Sequence, residues 1–204
     1  MAQAMSNLSV GDLGAERLLP EDRERLHGHG GALVWFTGLS GAGKSTVANL
    51  VDRKLYELKR HSVLLDGDLV RTGLCGDLTF SPEDRTENVR RMGEVGRLFA
   101  QTGVLALIAV IAPYNGAREA ARKRMREGRF VEVFVDAPLS VCESRDAKGL
   151  YAKARAGVIT NFTGIDAPYE APTHPEVHLD SGGGSTPEQL ADQVIAYLQS
   201  KGLA

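Results

Sequence analysis

Cysteine is nearly absent from this chain of 204 residues, which holds only Cys75 and Cys142, at no metal-ligand spacing. Neither a disulfide framework nor a zinc module is expected, and both thiols are read as reduced. An excess of one charge is missing too: 24 Lys and Arg stand against 26 Asp and Glu, for a formal net charge of −2. A nucleic-acid partner would call for a basic excess, so that class is set aside, while a local cationic pocket for a small anion is not. Long apolar runs are also lacking. The longest, Val104 to Ala112, has the length of a strand, so no membrane span is expected. No basic stretch followed by an apolar one marks a secretory signal, and a cytoplasmic location is expected.

What is present is enough apolar residue, 43%, to build one α/β core. Residues 1–31 read as an N-terminal extension, ending in the solvated run His27-Gly28-His29-Gly30-Gly31, with Leu18 and Leu19 docking a short helix on the body. From residue 32 to 204, strand and helix signals alternate. Strands are expected at 32–37, 62–66, 104–112, 130–135 and 176–179. Helices are expected at 44–59, 82–102, 115–127 and 187–198, with 115–127 a basic surface helix. Ser81-Pro82-Glu83-Asp84 is a helix start, with a hydroxyl N-cap, Pro at the first position and acids near the positive end of the dipole. This alternation implies a doubly wound parallel sheet with helices on both faces, and ligands at the carboxyl ends of the strands.

Gly38-Leu39-Ser40-Gly41-Ala42-Gly43-Lys44-Ser45 matches G-x-x-x-x-G-K-[ST], with an apolar strand before it and an amphipathic helix after. Glycines let the backbone curl with its N–H groups inward, and the helix N-terminus adds positive potential. Lys44 is read as reaching the β- and γ-phosphates of ATP, and the Ser45 hydroxyl as taking a Mg2+ position. A guanine-reading N-K-x-D element is lacking, which argues against a GTPase. Asp66-Gly67-Asp68 follows the second strand. Asp66 is favoured as catalytic acid and metal organiser, and Asp68 as cap or acceptor ligand. Arg71 and Arg85 form a candidate clamp for an anionic acceptor, with Asn88 on the same helix stripe as Arg85. Phe80 and Phe162 are candidates to sandwich a planar base. The basic stretch at 147–162, with Lys148, reads as a lid. On the residues alone, a phosphate-loop kinase for another small hydroxyl acceptor and a non-catalytic nucleotide-binding module both stay open.

Five stretches together resemble the adenylyl-sulfate kinase family: GLSGAGKST at 38–46, LDGDLVR at 65–71, FSPEDRTENVRR at 80–91, VFVDAPLSVCESRDAKGLYAKARAG at 133–157 and FTGIDAPYE at 162–170. The resemblance implies a P-loop NTPase fold and transfer of phosphate from ATP to the ribose 3′-hydroxyl of adenosine 5′-phosphosulfate (APS). It places ATP on 38–46, including Thr46, with Arg145 against its base and Gly184 in a nearby turn. It places APS against Asp68, Leu69, Arg71, Phe80, Arg85, Asn88, Ile111, Ala112, Lys148, Asn161 and Phe162. It also implies a homodimer and functional coupling to an ATP sulfurylase. Two positions depart from the family pattern: Leu69 replaces an Asn, and Ala112 replaces a Ser.

Overall fold

Strand β1 (Ala32–Thr37) is buried along its whole length, and its side chains divide between two cores. Ala32, Val34 and Phe36 enter one cluster; Leu33 and Trp35 enter the other. Strand β3 (Leu105–Ala109) divides the same way, with Leu105 and Leu107 on the first side and Ala106 and Ile108 on the second. A period-two strand that is apolar on both faces must be covered on both faces. The computed structural model that shows this describes residues 18–204; the expectation for residues 1–17 lies outside the described residues.

Five strands form one parallel sheet in the order β2-β3-β1-β4-β5, with β2 at Ser62–Asp66, β4 at Phe130–Asp136 and β5 at Val177–Asp180. Helices α2 (Lys44–Glu57) and α8 (Pro187–Ser200) supply Val47, Val51, Leu55, Leu190, Val194 and Leu198 to the first core. Helices α4 (Pro82–Gln101) and α5 (Asn115–Arg122) supply Val89, Met92 and Ala121 to the second. The doubly wound expectation holds. Ser81 caps α4, its Oγ accepting from the Asp84 N–H at 3.2 Å, and Pro82 follows at the first position.

Several boundaries differ from expectation. Helix α2 ends at Glu57 because Lys59 takes a left-handed conformation, φ 57°. Strand β3 stops at Ala109; beyond it the chain leaves the sheet, and Ala112 sits at φ 45°. Helix α5 stops at Arg122, and it is not simply a basic surface helix, since Arg118 is 1% exposed. The His27–Gly31 run is not a solvated linker. Helix α1 (Pro20–His27) ends at it, Glu24 of α1 pairs with Arg126 at 2.5 Å and Arg129 at 3.1 Å, and the buried His29 ring accepts from the His61 N–H at 2.9 Å. Leu18 and Leu19 stay exposed, so charge pairs rather than leucines hold this helix.

Candidate active site

The carboxyl ends of β1, β2 and β3 are level with one another, since Phe36 and Asp66 both pair with Ala109. One cavity of about 670 Å³ opens there. It is lined by five cations (Lys44, Arg71, Arg85, Arg145, Lys148) and three acids (Asp66, Asp68, Asp146), so its surplus of charge is positive.

The phosphate loop joins β1 to α2. Gly38 has φ 150°, and a Cβ there would meet the Val135 carbonyl at 2.3 Å; Gly43 has φ 100° at the start of α2. Those two positions therefore need glycine. Ser40, Gly41, Gly43, Lys44, Ser45 and Thr46 line the cavity, while Gly38 and the fully buried Ala42 form its backing. Lys44 is 8% exposed, and its Nζ donates to the Leu39 carbonyl at 2.7 Å. Burial pushes its pKa down to about 8.

Ser45 Oγ donates to Asp66 Oδ2 at 2.5 Å. The other oxygen of Asp66 accepts from the Asp68 N–H at 2.9 Å, capping the short helix α3 (Gly67–Val70). Asp66 thus does the capping that the sequence assigned to Asp68. The Asp68 carboxylate is free of that duty and pairs with Lys148 across the cavity mouth. The Ser45 hydroxyl and the Asp66 carboxylate are hard oxygen donors side by side, a set that fits Mg2+, which takes few protein ligands and completes its shell with phosphate and water. No cluster of three or more His, Cys, Asp or Glu suited to a metal exists among the described residues.

On the opposite wall, Arg85, Asn88 and Phe80 come from the start of α4 and the loop before it. Arg71 lies over the Phe80 ring at 4.2 Å, and its Nη1 donates to the Leu78 and Thr79 carbonyls, each at 3.2 Å. Arg85 Nε donates to the Phe80 carbonyl at 2.8 Å, and its other nitrogens reach Thr163 Oγ1 and the Asn161 carbonyl. Both arginines shape the wall as well as charging it. Asn88 is 7% exposed, and its buried Nδ2 has no partner among the described residues. A buried amide left unpaired beside a cavity marks a place where a ligand acceptor belongs. Phe80 is 59% exposed and Phe162 only 9%, so the two rings differ in how much face they offer. Ile111, Ala112 and Asn161 also line the cavity. Leu69 does not: it is 66% exposed on α3, turned to solvent.

The segment 147–162 contains helix α7 (Leu150–Arg155), which weak periodicity hid. Asp146 caps it, accepting from the Tyr151 and Ala152 N–H groups at 3.0 Å each. Tyr151 donates its hydroxyl to the Ser40 carbonyl at 2.9 Å and meets Phe162 edge-on at 5.0 Å. It therefore ties the phosphate loop to Phe162. Arg145, at the end of α6 (Leu139–Arg145), donates to the Ser181 carbonyl at 2.6 Å and to the Gly41 carbonyl at 3.3 Å. Ser181 Oγ in turn donates to the Ala42 carbonyl at 2.7 Å. Of the turn after β5, Ser181 and Ser185 line the cavity and Gly184 does not. Sequence reasoning missed Tyr151, Asp146, Ser181 and Thr163. Tyr151, Ser181 and Thr163 act through partners distant in the chain, whereas Asp146 acts locally and carried a signal, as an acid before a helix.

Residues 30–180 match the family model for adenylylsulphate kinase. An adenylyl-sulfate kinase of Citrobacter koseri is 55% identical over 90% of this chain and 89% of its own length. A bifunctional enzyme CysN/CysC of Xylella fastidiosa is 56% identical over 88% of this chain, which spans only 29% of that relative's length. Among solved structures, the Mycobacterium tuberculosis APS kinase CysC, in complex with AMPPNP and APS, superposes with a TM-score of 0.80 at 50% identity, covering 84% of this chain and 99% of that one.

Proposed function

The chain belongs to the adenylyl-sulfate kinase family, and from that premise we infer how its residues phosphorylate the ribose 3′-hydroxyl of APS with ATP. One observation carries the reading. The phosphate loop and a wall bearing two arginines, an unpartnered buried amide and two phenylalanines open into the same cavity.

The loop from Gly38 to Thr46 holds the triphosphate with its backbone N–H groups, and Lys44 supplies positive charge to the β- and γ-phosphates. Arg145, Ser181 and Ser185 bound the ATP base. Ser45 and Asp66 are the residues that would hold Mg2+, which would supply charge neutralisation on the triphosphate. Asp66, which lines the cavity beside Ser45, accepts the proton of the 3′-hydroxyl, while its bond from Ser45 fixes its orientation. Arg71, Arg85 and Asn88 hold the acceptor, with Asp68 at its ribose and Phe80 and Phe162 on its base. Lys148 leaves Asp68 for the phosphates as the 147–162 lid closes, excluding the water that would otherwise hydrolyse ATP. Leu69 and Gly184 have no part in this reading, because both lie off the cavity. The test is ADP release in a coupled assay with APS, AMP and gluconate as acceptors. APS must be preferred; equal turnover of gluconate would refute the acceptor.

Two assembly readings go with this function. The family resemblance implies a homodimer, which light scattering of the purified chain tests. The fused relative implies coupling to a sulfate-activating enzyme, tested by whether added ATP sulfurylase raises flux beyond that of free APS. No helix among the described residues is long and apolar enough to cross a membrane.

A further inference from the structure

We propose that Arg118 is a positioning residue for the acceptor pocket: its guanidinium holds the Ile111–Pro113 turn in the shape that offers backbone N–H groups to APS. The proposal rests on the reading of that pocket given above. Ala112 has φ 45°, a conformation that residues with a Cβ rarely take, so something must hold it. Three successive carbonyls of the turn are bonded by groups from elsewhere in the chain. The Ile111 carbonyl accepts from Thr37 Oγ1 at 2.6 Å, the Ala112 carbonyl from Arg118 Nη1 at 2.5 Å, and the Pro113 carbonyl from the Glu170 N–H at 2.8 Å. The Ile111 and Ala112 N–H groups, by contrast, have no protein acceptor among the described residues, and both residues line the cavity. With its carbonyls engaged, the turn has donors left for a ligand.

Arg118 is the hub of this arrangement. It is 1% exposed, and its Nε donates to Glu132 Oε1 at 2.7 Å. Its Nη2 reaches the Asn115 side chain and, at 2.8 Å, the Glu170 carbonyl. Glu132 lies in the middle of β4 and shares Arg122 with Glu176. One guanidinium thus joins the acceptor turn and the segment that follows the lid to strand β4 of the sheet. Stability alone does not demand this, because apolar residues of similar volume often replace a buried ion pair without loss. An apolar pair, however, has no donors for the Ala112 and Glu170 carbonyls. A planar fork of five N–H groups serves several acceptors at once; a lysine ammonium does not span them.

Steady-state kinetics on the full chain, with APS and ATP varied separately, decide the matter. Arg118→Lys keeps the charge and is expected to raise KM for APS about tenfold while KM for ATP stays within about twofold. The pair R118M/E132Q removes the buried charges together and is expected to do the same, so it serves if the single variant fails to fold. KM for APS within twofold of wild type in the folded variants overturns the proposal. So does a parallel rise in both KM values, or a double variant that also fails to fold, since Arg118 then serves the fold alone. A folded wild type that releases no ADP with APS fails the functional reading itself, whatever the variants do, and takes this proposal with it.

Discussion

The proposed donor and acceptor sides of the cavity are built in different ways. The donor side comes from one continuous stretch, residues 38–46, whose shape follows from local backbone geometry: glycines at φ 150° and 100°, then a helix N-terminus. The acceptor side is assembled from residues 66–68 and 71, 80, 85 and 88, 111–113, 148 and 161–163, which meet only in the folded chain. The two sides also hold their cations differently. Lys44 is buried with a single carbonyl for a partner, and burial lowers its pKa. Arg85 is buried too, but it is bound by three groups of the wall it belongs to. A donor site that must grip and release phosphate keeps its charge poised, whereas an acceptor site built from distant pieces uses charge to hold its own shape.

The sharpest way to break this contrast is Lys44→Ala. Turnover is expected to fall by at least about 10³-fold, as loss of a charge aimed at the transferring phosphate should cause. The melting temperature should hold or rise, because the lysine bears a desolvation penalty in the folded state. Near-wild-type ADP release would contradict the mechanism. Next in size is the pair Asp66→Asn and Asp68→Asn. The first is expected to lower kcat by about 10²-fold, since it removes both the proton acceptor and the partner of Ser45. The second should act mainly on KM for APS. A larger kcat loss in D68N would exchange the two roles.

The aromatic pair sharpens the acceptor side. Phe80→Ala and Phe162→Ala are each expected to raise KM for APS about tenfold, a stacking-sized loss, and to leave KM for ATP alone. Only Phe162→Ala should also lower the melting temperature, because that ring is buried against Tyr151. An unchanged KM for APS in both would remove the stacking role.

The smallest effect is in protons. With Lys44 pushed down to about 8, the free enzyme is half-neutral there near pH 8. The triphosphate raises that pKa again, so binding ATP at pH 8 should take up about half a proton, and at pH 6.5 almost none. Calorimetry in buffers of different ionisation enthalpy measures this, and Lys44→Met should abolish it. The sign for stability follows. Below pH 8 both folded and unfolded lysine are charged, and the folded state bears the full penalty. As pH rises from 8 towards 10.5, that penalty fades, so this group alone makes stability increase.

Much of the fold was legible in the sequence because its signals are local. Two-sided apolar strands, the Ser81 cap and the glycine spacing each act within a few residues. Helix ends were read less well. Lys59 stops α2 through a backbone conformation that no side-chain type announces. Arg118 was misread as a surface cation, although a lone Glu132 in the apolar run Phe130–Val135 was a signal that some buried cation must face it.

The sequence by itself determined the phosphate-loop motif, the sheet and the family, because nested glycines, period-two strands and contiguous motifs carry their meaning in short stretches. Only the tertiary structure decided which acid caps α3, that Tyr151 ties the phosphate loop to Phe162, that Leu69 and Gly184 lie off the cavity, and that a buried arginine braces the acceptor turn. The tie from Tyr151 to Ser40 and the bonds from Arg118 to Glu132 and Glu170 join residues far apart in the chain, whereas the Asp66 cap is local and depends on where α3 begins. A hydrogen bond has no sequence signature when its two ends are brought together by packing alone.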